Sequence, residues 1–219
     1  MPNTNYAAVL FDLDGTLLNT LADLADSMNA ALARFNYPQH PTDDYRFFVG
    51  RGAAILAHQA AGADAPEADV AAILAEYRGI YENLAETQTR PYDGIAELLE
   101  YLQRRNIAVG VLSNKPHTHT VATVARHFPD YPFARVIGQR EGVPIKPDPV
   151  GALEFAAAVN LAAQRVVYVG DTGVDMQTAT RAGMFAVGAK WGFRTAEELT
   201  EGGAKLLIDD PRELFALFA

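Results

Sequence analysis

The run Ala8-Val9-Leu10-Phe11-Asp12-Leu13-Asp14-Gly15-Thr16 constrains this chain more than any other stretch. Uninterrupted apolar residues that stop at two carboxylates and a glycine describe a strand buried on both faces, delivering charge at its C-terminal end. Open α/β sheets keep their ligands at that end. A period of two sends Asp12 and Asp14 to one side and Leu13 to the other. Two carboxylates that close need a cation between them, or one must hold a proton. The same letters also allow a hairpin, with Asp14-Gly15 as the turn between two apolar runs.

After Thr20 the periodicity becomes helical. Leu21, Leu24, Ala25, Met28, Leu32 and Phe35 share one face, Asn19 and Thr20 suit the N-cap, and Pro38 and Pro41 end the helix. Thr42, Asp43 and Asp44 predict a short helix, and Gly50-Arg51-Gly52 precedes another that ends near Gly62. Pro66 and Glu67 open a long one carrying Val70, Ile73, Leu74, Tyr77, Tyr81 and Leu84. No strand-like run falls between Thr20 and Arg90. Beyond Pro91 helix and strand alternate: strands are expected over residues 107–112, 135–137, 165–169, 184–188 and 206–208, with helices over 95–102, 116–128, 149–161, 174–182 and 211–218. Alternation of this kind indicates parallel βαβ units. The expected architecture is an α/β core with a Rossmann-like parallel sheet, residues 1–18 and 90–219, and an all-helical insert, residues 19–89, placed after the first strand. Segments 17–21 and 86–91 are the crossings and natural hinges.

Composition narrows the function classes. The 219 residues contain no cysteine, which excludes disulfides, thiolate metal sites and a cysteine nucleophile. A net charge of -9 works against binding a nucleic-acid backbone over a broad surface. An anionic substrate would need local attraction from a metal, a few basic side chains and backbone amides. No apolar run is long enough to span a bilayer and the N-terminus lacks a signal-peptide pattern, so a cytoplasmic location is the expectation.

Three further polar clusters follow the pattern of the first strand. One apolar run stops at Ser113-Asn114-Lys115, and another at Gly170-Asp171-Thr172-Gly173-Val174-Asp175; Lys146-Pro147-Asp148-Pro149 stands just ahead of a helix. In a parallel sheet these ends lie on one edge and their side chains meet in one cleft. Each has a plainer reading taken singly. Ser113 could cap a helix, Lys146 could be a solvated surface charge, and Asp171 and Asp175 could be a loop acid and an early-helix acid placed by the dipole. Their order and shared strand-end position favour the cleft.

Asp12-Leu13-Asp14-Gly15-Thr16, Ser113 after an apolar strand, Lys146 before Pro147-Asp148-Pro149, and Gly170-Asp171 with Asp175 form four ordered motifs. Together they resemble the haloacid dehalogenase superfamily, more narrowly its phosphatases of the phosphoglycolate phosphatase type. The resemblance covers essentially the whole chain, the helical insert matching that family's small cap. It implies a phosphoric monoester hydrolase in which Asp12 attacks phosphorus and becomes an aspartyl phosphate, while Asp14 is the general acid and base. It implies Mg²⁺ held by the side chains of Asp12 and Asp171 and the carbonyl of Asp14, with Asp175 a further ligand or a support. Ser113, the Asn114 amide, Lys146 and the Gly15 turn would hold the phosphoryl oxygens, with Thr16 supporting that loop.

The implied partner is a small-molecule phosphate ester, with no nucleic acid and no membrane, bound by a monomer or homodimer whose cap closes over the cleft. Arg51, between two glycines, could select an acidic substrate tail or could simply be an exposed arginine. Trp191 reads as packing at the rim, and His117 and His119 as solvated. Asn19 departs from the acid many relatives carry there. Sugar-phosphate mutases share all four motifs. A phosphorylation-switched regulatory domain would gather similar residues, but it lacks the helical insert and the second aspartate of the pair.

Overall fold

The computed structural model describes residues 6–82 and 87–219. Leu84 and the start of the expected second crossing lie outside the described residues. The chain divides into two compact units: residues up to Leu18 together with Pro91–Ala219, and the insert Asn19–Arg90.

The first unit is built on a six-stranded sheet. Its strands are β1 (Ala8–Phe11), β2 (Ala108–Pro116), β3 (Arg135–Gln139), β4 (Val166–Gly170), β5 (Phe185–Ala189) and β6 (Leu206–Ile208). They lie in the order β3-β2-β1-β4-β5-β6, and every neighbouring pair is parallel. This is the doubly wound arrangement, in which the strand order reverses beside β1 and opens a crevice at the C-terminal edge. β1 has parallel strands on both sides, pairing Leu10 with Gly110 and with Tyr168. Asp14-Gly15 is therefore not the turn of a hairpin.

Alternation along the strands sorts their side chains into two cores. Val9, Phe11, Val109, Val111, Val167 and Val169 pack on one face with Ile95, Leu98 and Leu102 of α5 (Ile95–Arg104). Ala8, Leu10, Leu112, Val166 and Tyr168 pack on the other with Phe155 of α7 (Val150–Ala158) and Met176 of α8 (Gly173–Ala182). Burying both faces requires the continuous apolar runs seen in the sequence.

Several boundaries differ from expectation. β2 runs four residues past Leu112 to Pro116, so Ser113 lies inside a strand and the N-cap of α6 (His117–His127) is Pro116. The helix after Pro149 stops at Ala158 instead of Leu161, and Asn160 follows at a φ of 54°. The last segment is a 3-10 helix, Pro211–Leu217.

The insert contains α1 (Leu21–Arg34), α2 (Tyr45–Phe48), α3 (Ala53–Ala61) and α4 (Glu67–Glu82). α1 buries Leu21, Leu24, Ala25, Met28 and Leu32, and it packs against α3 and α4. It ends before either proline, because Asn36 turns the chain at a φ of 59°. Phe35 consequently caps the helix from outside it. Asp23 is buried in the first turn and accepts hydrogen bonds from the Thr89 amide (2.7 Å) and hydroxyl (2.6 Å) and from the Gln88 amide (3.2 Å). This carboxylate fixes the end of the insert to its beginning.

Candidate active site

The site begins where β1 ends. The Asp12 amide continues the ladder by donating to the Val169 carbonyl (2.9 Å), and the chain then closes a tight loop around the Leu13 carbonyl, which accepts from the amides of Leu17 and Leu18. Gly15 makes this loop possible in two ways. Its φ is +89°, and a Cβ there would fall 2.2 Å from Oδ2 of Asp171. Gly192 serves the same end from the loop after β5, since its Cβ would lie 2.2 Å from the Asp171 Cβ.

Asp12, Lys146, Asp171 and Asp175 meet in one buried cluster. The Lys146 ammonium lies 2.7 Å from Oδ1 of Asp12 and 2.7 Å from Oδ1 of Asp175. Asp12 Oδ1 also accepts from the Leu13 amide (2.7 Å), so two donors fix its carboxylate. Asp171 accepts from the Thr16 hydroxyl (3.0 Å) and from the Phe193 amide (2.8 Å). Thr16 thus ties the first loop to the acid that follows β4. Lys146 is positioned by Asn114, whose side chain accepts from the Lys146 amide (2.8 Å) and donates to its carbonyl (3.1 Å). Ser113 is buried on the same stretch and accepts from the Lys115 amide (3.1 Å).

Asp175 has a double role. As the third residue of α8 it completes a capping box with Thr172, accepting from that residue's amide (3.1 Å) and hydroxyl (2.6 Å) through Oδ2. Through Oδ1 it accepts from Lys146 and from the Tyr168 hydroxyl (3.1 Å). Asp175 thus lies early in α8 and also in the buried cluster. With both oxygens given to protein donors, it acts as a support for Lys146.

Electrostatics explains why this cluster is unusual. Burial raises the Asp12 pKa well above its ordinary value, helped by the charges of Asp175 and Asp171 and opposed by Lys146. Burial likewise pushes Asp171 up to about 7, with the Asp175 charge adding and the Phe193 and Thr16 hydrogen bonds subtracting. Burial alone would lower the Lys146 pKa, but Asp12 and Asp175 outweigh it and hold the ammonium firmly charged. Oxygens from Asp12, Asp171 and Asp175 lie within 4.8 Å of one another. An all-oxygen set carrying excess negative charge fits a hard divalent cation such as Mg²⁺.

Asp14 lies at the margin of the cluster, paired to Lys115 at 3.2 Å in a largely buried ion pair. Tyr168 is the residue that the sequence patterns missed, and Lys115, placed with Ser113 and Asn114 at the cleft, was given no role of its own. Such a role could have been found, since two-residue spacing along a strand puts Lys115 on the same side as Ser113. Arg51 belongs to the insert, exposed between Gly50 and Gly52, both at positive φ. His117 corrects an expectation. It is half-buried, and its Nδ1 accepts from the Gly138 amide (3.2 Å), because the start of α6 packs beside β3. Trp191 packs against the core and donates its indole N–H to the Thr16 carbonyl (3.0 Å).

The fold and cluster define an α/β protein with carboxylate chemistry at the C-terminal ends of its strands. The sequence model for haloacid dehalogenase-like hydrolases matches residues 9–189, and this chain belongs to that family. A protein named phosphoglycolate phosphatase from Haemophilus influenzae (strain 86-028NP) is 31% identical over 98% of this chain and 99% of its own. A protein of the same name from Xanthomonas campestris pv. campestris (strain 8004) is 33% identical over 95% of this chain and 94% of its own. Among solved structures, a chain from Lactobacillus delbrueckii subsp. bulgaricus superposes with a TM-score of 0.92 at 26% identity, covering 98% of each chain.

Proposed function

We propose that this chain is a Mg²⁺-dependent phosphatase that hydrolyses a small-molecule phosphomonoester through an aspartyl phosphate on Asp12. One observation carries the reading: a buried cluster unites Asp12, Lys146, Asp171 and Asp175, drawn from residues more than 160 positions apart, at the sheet's crevice. The relatives' name, phosphoglycolate phosphatase, gives the substrate class its first candidate, 2-phosphoglycolate.

Asp12 attacks phosphorus while the ester P–O bond breaks, and Asp14 gives its proton to the departing alkoxide. Water then attacks phosphorus, losing a proton to Asp14. The acyl P–O bond breaks, restoring the Asp12 carboxylate and releasing inorganic phosphate. Lys146 and Ser113 hold phosphoryl oxygens as their charge redistributes, with the Asn114 and Gly15 amides as further donors. Mg²⁺, held by the side chains of Asp12 and Asp171 and the Asp14 carbonyl, would supply positive charge against those oxygens. Asp175 keeps Lys146 in place. The helical unit would act as the family's cap, with Arg51 as its candidate for an acidic substrate tail.

The test is phosphate release from a panel of phosphomonoesters, with Mg²⁺ and with chelator, beside Asp12→Asn. Release is expected only with the metal, and the variant is expected to lose at least about 1,000-fold in rate. Its fold should survive, since an asparagine oxygen can still accept from Leu13 and Lys146. Turnover in chelator, or an active variant, would refute the reading.

A further inference from the structure

The two carboxylates of the Asp12-Leu13-Asp14 pair have different cations. Lys146 lies on Asp12, and Lys115 lies on Asp14. The first pair has an evident use, because the nucleophile and the phosphoryl oxygens share one location. The second needs its own explanation. Lys115 is almost wholly enclosed, its side chain 6% exposed and that of Asp14 13%. Burying an ammonium is costly unless its charge is used.

Position suggests that use. In the proposed reaction Asp14 donates a proton to the ester oxygen, so it must lie within hydrogen-bonding reach of the leaving group. Lys115 Nζ is 3.2 Å from Asp14 Oδ1. When Asp14 acts through that oxygen, the ammonium lies at most roughly 6 Å from the ester oxygen. A carboxylate on the carbon next to that oxygen places its own oxygens roughly 3 Å from it, within reach of an ammonium so placed.

Charge points the same way. With Asp14 holding the proton it donates, Asp12, Asp171 and Asp175 set three carboxylates, among the described residues, against the ammonium groups of Lys146 and Lys115. One divalent cation would balance the excess on the phosphoryl side and leave an anionic leaving group facing Asp14. A fixed cation beside Asp14 turns that charge into selection. β2 is what fixes it. The strand continues through Lys115 to Pro116, and the Lys115 amide donates to the Ser113 hydroxyl, so the lysine rests on a rigid element. Lys115 and Asp14 belong to the same unit, so their approach is independent of the insert that carries Arg51.

We infer that Lys115 is a specificity-determining residue whose ammonium binds a carboxylate on the leaving group, directing the enzyme to phosphate esters of small 2-hydroxy acids. The inference rests on the phosphatase reading. It is tested by comparing kcat/KM for 2-phosphoglycolate with kcat/KM for ethyl phosphate, an ester of similar size with an uncharged leaving group. The wild type is expected to favour 2-phosphoglycolate, Lys115→Arg to keep most of that preference, and Lys115→Gln to lower the ratio by roughly 10- to 100-fold, as for loss of one charge-assisted hydrogen bond.

The chain has no cysteine of its own, so Lys115→Cys can be alkylated with 2-bromoethylamine to restore an ammonium, and the ratio should recover. This rescue also decides the matter should Lys115→Gln fail to fold. Equal losses on both esters would leave the ratio unchanged and overturn the inference, assigning Lys115 only to holding Asp14. A wild type that hydrolyses neither ester would instead refute the phosphatase reading itself.

Discussion

Asp171 shows how a single buried carboxyl can be held in place at the expense of the fold. Two donors hold its oxygens, and the glycines at positions 15 and 192 leave room for it, yet burial still pushes its pKa up to about 7. A carboxyl with a higher pKa folded than unfolded holds its proton more firmly when folded, so the metal-free protein loses this group's stability as pH rises from about 4 to about 7. In the proposed function metal and proton compete for the same oxygens over that range. Apparent Mg²⁺ affinity, measured by calorimetry, should therefore rise with pH by up to about tenfold per unit below pH 7 and level off above it. Affinity that is flat between pH 5.5 and 7.5 would contradict this account. Gly15→Ala tests the loop directly. A methyl placed 2.2 Å from Asp171 Oδ2, on a backbone at φ +89°, should cost about 1–3 kcal/mol in urea unfolding and displace the acid, lowering the phosphatase rate by at least about tenfold.

The elements divide into those that could be read from the sequence and those that needed the fold. Strand and helix alternation beyond Pro91 was legible because both faces of the sheet are buried, which forces apolar runs such as Val166-Val167-Tyr168-Val169 to end abruptly at the polar edge. For the same reason the order of Asp12, Ser113, Lys146 and Asp171 indicated one cleft. What stayed hidden depended on long-range partners. Tyr168 reads as one more core residue, and only the turn of α8 brings Asp175 to its hydroxyl. The end of α1 depended on Asn36 adopting a left-handed conformation, a choice the prolines at 38 and 41 obscured. Asp23 carries no mark in the letters that sets it apart, and only the fold makes it a buried clasp on Thr89. Asp23→Ala strands the Thr89 donors and should cost about 2–4 kcal/mol in urea unfolding; a loss under 0.5 kcal/mol would show that the clasp is not needed.

At the scale of the whole molecule, the chain carries nine net negative charges and still gathers an acidic centre suited to anionic substrates. The way out of this conflict is local: two buried lysines, backbone amides, and the divalent ion that the proposed function assigns to the carboxylates. Covalent capture makes sense in that setting, because a carboxylate freed from its own repulsion by Lys146 can attack a phosphoryl group. The central claim is that Asp12 itself receives the phosphoryl group. Acid quenching within the first turnover of ³²P-labelled substrate, followed by peptide mapping, should find label on the peptide containing Asp12. The label should be released by hydroxylamine and absent from Asp12→Asn. Label on another residue, or active turnover with no protein-bound label at any quench time, would contradict the account.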